Sequence, residues 1–112
     1  MDKEKNRKLA DCIKEFLERY SLNIDTRIYF NNMCYSFDSS GNMTVIENVK
    51  ASDYFEYAND DTVSMTFEGP LYDVLNHGHW TSCMVVEEFA KIFENHGMYY
   101  EMGNKWNLAA YY

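Results

Sequence analysis

Between Ile24 and Asp38 the side chains alternate on both sides of Asn31-Asn32, and this constrains the fold more than any other stretch. Ile24, Thr26, Ile28 and Phe30 alternate with Asp25, Arg27 and Tyr29, and Met33, Tyr35 and Phe37 alternate with Cys34, Ser36 and Asp38. A period of two places one set on each face of a strand. Asparagine tolerates the positive φ that a two-residue hairpin turn requires, so the Asn-Asn pair predicts an antiparallel hairpin. The segment DSSGN supplies a second turn, and Met43 and Val45 alternate with Thr44 in a third strand of the same meander.

Helical spacing flanks this meander. Residues 2 to 20 place Leu9, Ile13, Phe16, Leu17 and Tyr20 on one stripe, with Lys5, Lys8, Glu15 and Glu18 on the other. A second long helix is expected from about Ser82 to His96, with Val85, Phe89, Ile92 and Phe93 inward, Thr81 and Ser82 as candidate caps, and Gly97 as its stop. Ser52 as N-cap and Asp53 in the first turn predict a short helix over SDYFEYA. TVSMTFE alternates as a half-buried strand, with Val63, Met65 and Phe67 on one side and Thr62, Ser64, Thr66 and Glu68 on the other. Pro70 opens a further short helix through LYDVLN, for which Gly78 is the expected stop. The tail predicts two strands turning at Gly103-Asn104. At 112 residues the chain fits a single domain, 1–112, of α+β class. Its sheet is mostly antiparallel, with about five to six strands, an N-terminal meander, a C-terminal hairpin and helices packed on one face.

Charge is unevenly distributed along this frame. The net charge is −8, yet residues 1–50 balance eight basic against eight acidic groups, and residues 51–112 carry two basic and ten acidic groups. No lysine or arginine stands between Lys50 and Lys91. That balance disfavours direct nucleic-acid binding and anionic membranes, both of which need positive charge on the protein. The expected partner is a basic protein surface, such as that of a nucleic-acid-binding enzyme. Asp53, Glu56 and Asp60 would share a helical face, with Asp61, Glu68 and Asp73 as further carboxylates and Tyr54, Tyr57 and Tyr72 as anchoring rings. In its sharpest form this surface imitates nucleic-acid phosphate, as an inhibitor of anti-restriction or anti-CRISPR type, an antitoxin or an immunity-type protein of a phage or mobile element. The plainer alternative is an acidic face that only keeps the protein soluble.

A second reading gathers Asp73, His77, His79 and Cys83 into a small zinc- or cysteine-dependent hydrolase. Against it, no second paired ligand element accompanies these residues, and loop histidines beside a glycine account for the same pattern. A third is a homo-oligomeric domain, such as a homodimer, using the aromatic tail Tyr99, Tyr100, Trp106, Tyr111 and Tyr112 at a sheet edge. No cofactor or metal motif is present, and a non-enzymatic protein is the first expectation. The charged start MDKEKNRK lacks an apolar leader, and three widely spaced cysteines without a CxxC pair favour reduced thiols, so the cytoplasm is the expected location.

Overall fold

The computed structural model describes residues 2–76 and 80–112. Helix α1, Lys3–Arg19, begins where the Asp2 carboxylate accepts a hydrogen bond from the Lys5 N–H at 3.0 Å. Six strands follow, β1 Thr26–Phe30, β2 Met33–Phe37, β3 Met43–Glu47, β4 Ser64–Phe67, β5 Tyr99–Asn104 and β6 Asn107–Tyr111, with α2 Pro70–Asn76 and α3 Trp80–Glu94 between β4 and β5. They form one sheet in the order β3-β2-β1-β4-β6-β5, and every neighbouring pair is antiparallel. The fold is α+β with its helices on one face of that sheet.

The period-two pattern explains the layering. Ile28, Phe30, Tyr35, Phe37, Met65, Phe67, Leu108 and Ala110 point to one side and join Leu9, Ile13, Phe16 and Leu17 of α1 and Phe89 and Phe93 of α3 in a continuous core. Phe89 lies at the centre of its aromatic part, 5.4 Å from the Phe16 ring, 5.2 Å from Phe93 and 5.2 Å from Tyr100. The Asn31-Asn32 turn has the expected geometry, with φ of 51° and 60°. The stop at Gly97 holds as well: its φ is +72°, its N–H donates to the Glu94 carbonyl, and the Met98 N–H donates to the Phe93 carbonyl, the paired bonds of a glycine-terminated helix.

Three local expectations are corrected. The segment from Ser52 forms no helix that could align carboxylates. A single 3-10 turn, Ala51–Asp53, is followed by irregular chain in which Tyr57 takes φ +63°. Ser52 is not its cap: its N–H and hydroxyl both donate to the Asp60 carboxylate. The second long helix starts at Trp80, so Thr81 and Ser82 lie within it rather than ahead of it. The last hairpin turns at Lys105-Trp106, not at Gly103-Asn104. Gly103 sits instead at a register shift inside β5, where a Cβ would meet the Asn107 side chain and come within 2.8 Å of the Tyr57 Cβ. Close approach, not turn geometry, requires glycine there.

The irregular segment 48–61 crosses the sheet's other face. Ala51 and Phe55 bury themselves on Tyr29 and Cys34, with Ile46, Val49 and Ala58 around them. This cover has a chemical consequence for Cys34. Burial pushes its thiol up to about 11, and burial together with the Asp11 hydrogen bond pushes Tyr35 up to about 12. Both groups therefore fold in the protonated form. Their contribution is complete below pH 9 and is lost as pH rises, between 9 and 11 for Cys34 and between 10 and 12 for Tyr35. A urea series at pH 8 and pH 11 checks this: stability is expected to drop on the order of 2 kcal/mol through the thiol alone, and Cys34→Ala is expected to remove that share.

Candidate functional site

The cover over the second face is incomplete, and the uncovered end forms a groove of about 480 Å³. Its floor follows from strand register. Arg27 on β1 stands between Ser36 on β2 and Thr66 on β4, and all three side chains share the face opposite the helices. One step further in, Tyr29 is buried against Phe55 and Tyr54. Tyr54 and Trp106 supply the aromatic walls, and the Trp106 ring meets Phe55 edge-on at 6.1 Å.

The outer rim is acidic. Asp25, Asp38 and Glu68 all line the groove and are exposed. Backbone bonds draw them together: the Asp25 N–H donates to the Asp38 carbonyl at 3.1 Å, and the Glu68 N–H donates to the Asp25 carbonyl at 3.1 Å. The three carboxylates thus stand on adjacent chains, whose spacing in a sheet is about 4.8 Å. Like charges placed across neighbouring strands destabilise, by a few tenths of a kcal/mol per pair. Asp38 offsets part of this locally, since one carboxylate oxygen accepts from the Ser40 and Asn42 N–H groups. No lysine or arginine forms an ion pair with any of the three among the described residues.

Arg27 is the cation inside this acidic rim. Its guanidinium is held above its ordinary pKa, first by a hydrogen bond with the Tyr29 side chain, and Tyr29 itself is raised chiefly by burial. Arg27 has no carboxylate partner within ion-pair distance among the described residues. The site therefore sets a cation on its floor, with no ion-paired carboxylate among the described residues, inside three carboxylates around its mouth.

The residues expected from sequence divide between the two faces. Tyr54 and Glu68 belong to the groove. Asp53 and Glu56 lie exposed on the covering segment, and Tyr57 lies exposed farther along it against Gly103 of β5, with 56% of Tyr54 and 60% of Tyr57 open to solvent. Asp60 is engaged by Ser52, and the carbonyl of the exposed Asp61 accepts from the buried Asn6 amide at 2.9 Å. Tyr72 packs on the helical core and Asp73 is exposed on α2, on the opposite side of the sheet. Cys83 is exposed on α3, and His77 and His79 lie outside the described residues. Among the described residues no three His, Cys, Asp or Glu side chains are grouped so as to hold a metal ion. No described helix is long and apolar enough to cross a membrane.

Charge and motif in the sequence do not point to Asp25, Arg27 or Asp38, and they point to Trp106 only as part of a homodimer edge. Compared with known proteins, the chain matches no family model, no curated protein and no solved structure.

Proposed function

We propose that the protein is a small non-enzymatic interaction module whose groove and adjoining segment engage a basic protein surface. The observation that carries this reading is the row Asp38, Asp25 and Glu68, held together by backbone hydrogen bonds with no ion-paired cation among the described residues. A sheet gains nothing from three neighbouring carboxylates on its own account. A cationic partner converts that repulsion into attraction and is steered toward it by the net charge of −8. Tyr54, more than half exposed at the wall of the groove, provides rigid contact area of the kind that anchors interfaces, and Tyr57, equally exposed, extends it over β5 beside Gly103.

In its finer form the proposal is an inhibitor that occupies the basic cleft of a nucleic-acid-binding enzyme, such as a nuclease, a restriction system or a toxin. Work in the reducing cytoplasm agrees with the three free cysteines.

Capture from host extract on the immobilised full chain tests the proposal. Asp25→Lys/Glu68→Lys is compared with Glu15→Lys/Glu94→Lys, which makes the same change in net charge on the helical layer. A basic protein held by the wild type and by the helical-layer variant, and lost about 10-fold or more by the groove variant, is the expected result. Equal retention by both variants overturns the proposal.

A further inference from the structure

A surface selected only for cations would gain by losing Arg27. A guanidinium on the floor repels every basic side chain that enters, yet Arg27 stands there in register between Ser36 and Thr66. Its planar fork, delocalised and permanently charged, suits a carboxylate.

We infer that the groove reads a partner segment carrying both charges: a carboxylate that reaches Arg27, and a lysine or arginine two residues away that reaches the row Asp38, Asp25 and Glu68. This deepens the proposed engagement of a basic partner and rests on it. The spacing follows from the chain: Asp25 stands in the turn just ahead of β1, at φ +53°, two residues before Arg27, and both side chains line the groove. Two residues of extended chain span about 6.8 Å, the distance between side chains i and i+2 on one face of an extended peptide. A Glu-x-Arg segment laid along the groove therefore places one charge over each element at once. Its arginine stem crosses the Tyr54 and Trp106 rings, which line the same space and attract a guanidinium through their faces. An all-basic segment fills the rim equally well but leaves a second cation against Arg27. An all-acidic one pairs with Arg27 and meets three carboxylates.

Two synthetic peptides, acetyl-Gly-Glu-Ser-Arg-Gly-amide and the same peptide with glutamine for glutamate, are titrated into the isotopically labelled full chain and followed by backbone and indole N–H shifts. The glutamate peptide is expected to bind about 10-fold more tightly than the glutamine peptide, as for a partly exposed charge-assisted pair, with shifts at Arg27, Ser36, Thr66, Glu68 and the Trp106 indole. Arg27→Gln is expected to erase the difference between the peptides, and the dispersion of its own spectrum reports whether it is folded. The glutamate-to-glutamine change in the peptide makes the same comparison on the unaltered protein. Equal affinity of the two peptides for the wild type overturns the inference. If Glu68→Lys then abolishes both, the row still recruits cations and the proposed function stands. Absence of shifts with either peptide at about 10 mM also overturns the inference, since affinities weaker than that lie below specific recognition. Engagement of a basic partner is then decided by the capture experiment alone.

Discussion

Gly69→Ala is expected to lower stability by about 3 kcal/mol, the upper part of the range for steric overpacking, and to open the acidic end of the groove. Gly69 follows Glu68 where the chain leaves β4, and a Cβ there would strike the Ile24 carbonyl. The obstacle is backbone, so no rotamer change relieves it. Residues 68–70 must move away from 24–25, and the first bond to break is the one from the Glu68 N–H to the Asp25 carbonyl. Against a total stability of roughly 5–15 kcal/mol for a domain of this size, that loss is large. Gly97→Ala makes the contrast. It is strained by its φ of +72°, but an added Cβ would meet only the flexible end of Lys5, so a cost of about 1 kcal/mol is expected. Urea midpoints of the two variants check the difference, and amide exchange at Glu68 reports whether the row has come apart. A Gly69→Ala variant as stable as Gly97→Ala would mean that the two chains are not in close contact at the groove mouth.

Much of the fold is legible in local pattern because local pattern and packing agree. The alternation from Thr26 to Phe37, the paired asparagines and the stripe from Leu9 to Leu17 each specify an element that the core then uses, while Ile24 and Asp25 fall in the turn before β1. The expected helix after Ser52 failed for the opposite reason. Its spacing suits a helix, but Phe55 gains more by burying against Tyr29, Cys34 and Ala51 than a further helical turn provides, and Tyr57 adopts positive φ to continue the path. Short segments are decided by such contacts because a helix of fewer than about 12 residues is marginal by itself.

The site was half legible. Counting charge along the chain led to Glu68 and Tyr54, but residues 1–50 balance in total and so concealed Asp25 and Asp38. That balance is one of number, not of place. Six of the eight basic residues there, Lys3, Lys5, Arg7, Lys8, Lys14 and Arg19, lie on α1, on the far side of the sheet. A signal for the missed pair does exist in the sequence: a two-residue turn at Asn31-Asn32 fixes the register, sets Arg27 against Ser36, and brings Asp25 to Asp38 two residues further on. Glu68 joining them depends on β4 pairing with β1 across 34 or more intervening residues, which no local pattern specifies. Trp106 reaches the groove only because the final turn falls at Lys105-Trp106.

Phe55→Ala is expected to release the covering segment while leaving the sheet folded. The ends of that segment are fastened independently of Phe55: the Val49 N–H donates to the Asn32 carbonyl at 3.1 Å, and the Asn59 side chain donates to the Ala110 carbonyl at 3.0 Å. Between these points the deepest attachment is the burial of Ala51 and Phe55, with the Phe55 ring 5.9 Å from Tyr29 and 6.1 Å from Trp106, beside the Tyr54 ring 5.8 Å from Tyr29 and Tyr57 against Gly103. Truncating a buried phenylalanine removes about 3 kcal/mol or more. Here the loss falls on a segment that opens locally, because its backbone takes no part in the sheet ladders. Exchange of the Asp53, Tyr54 and Phe55 amides, which donate within the 3-10 turn, is expected to speed up by about 100-fold, with the amides of β1 and β4 unchanged. The Glu-x-Arg peptide is expected to lose affinity in parallel, since Tyr54 forms a wall of the groove only while Phe55 holds the segment down. Equal acceleration at β1 and β4 would show that the cover is part of the cooperative core. The acidic groove would then be as rigid as the sheet beneath it, with no independent freedom to adapt to a partner.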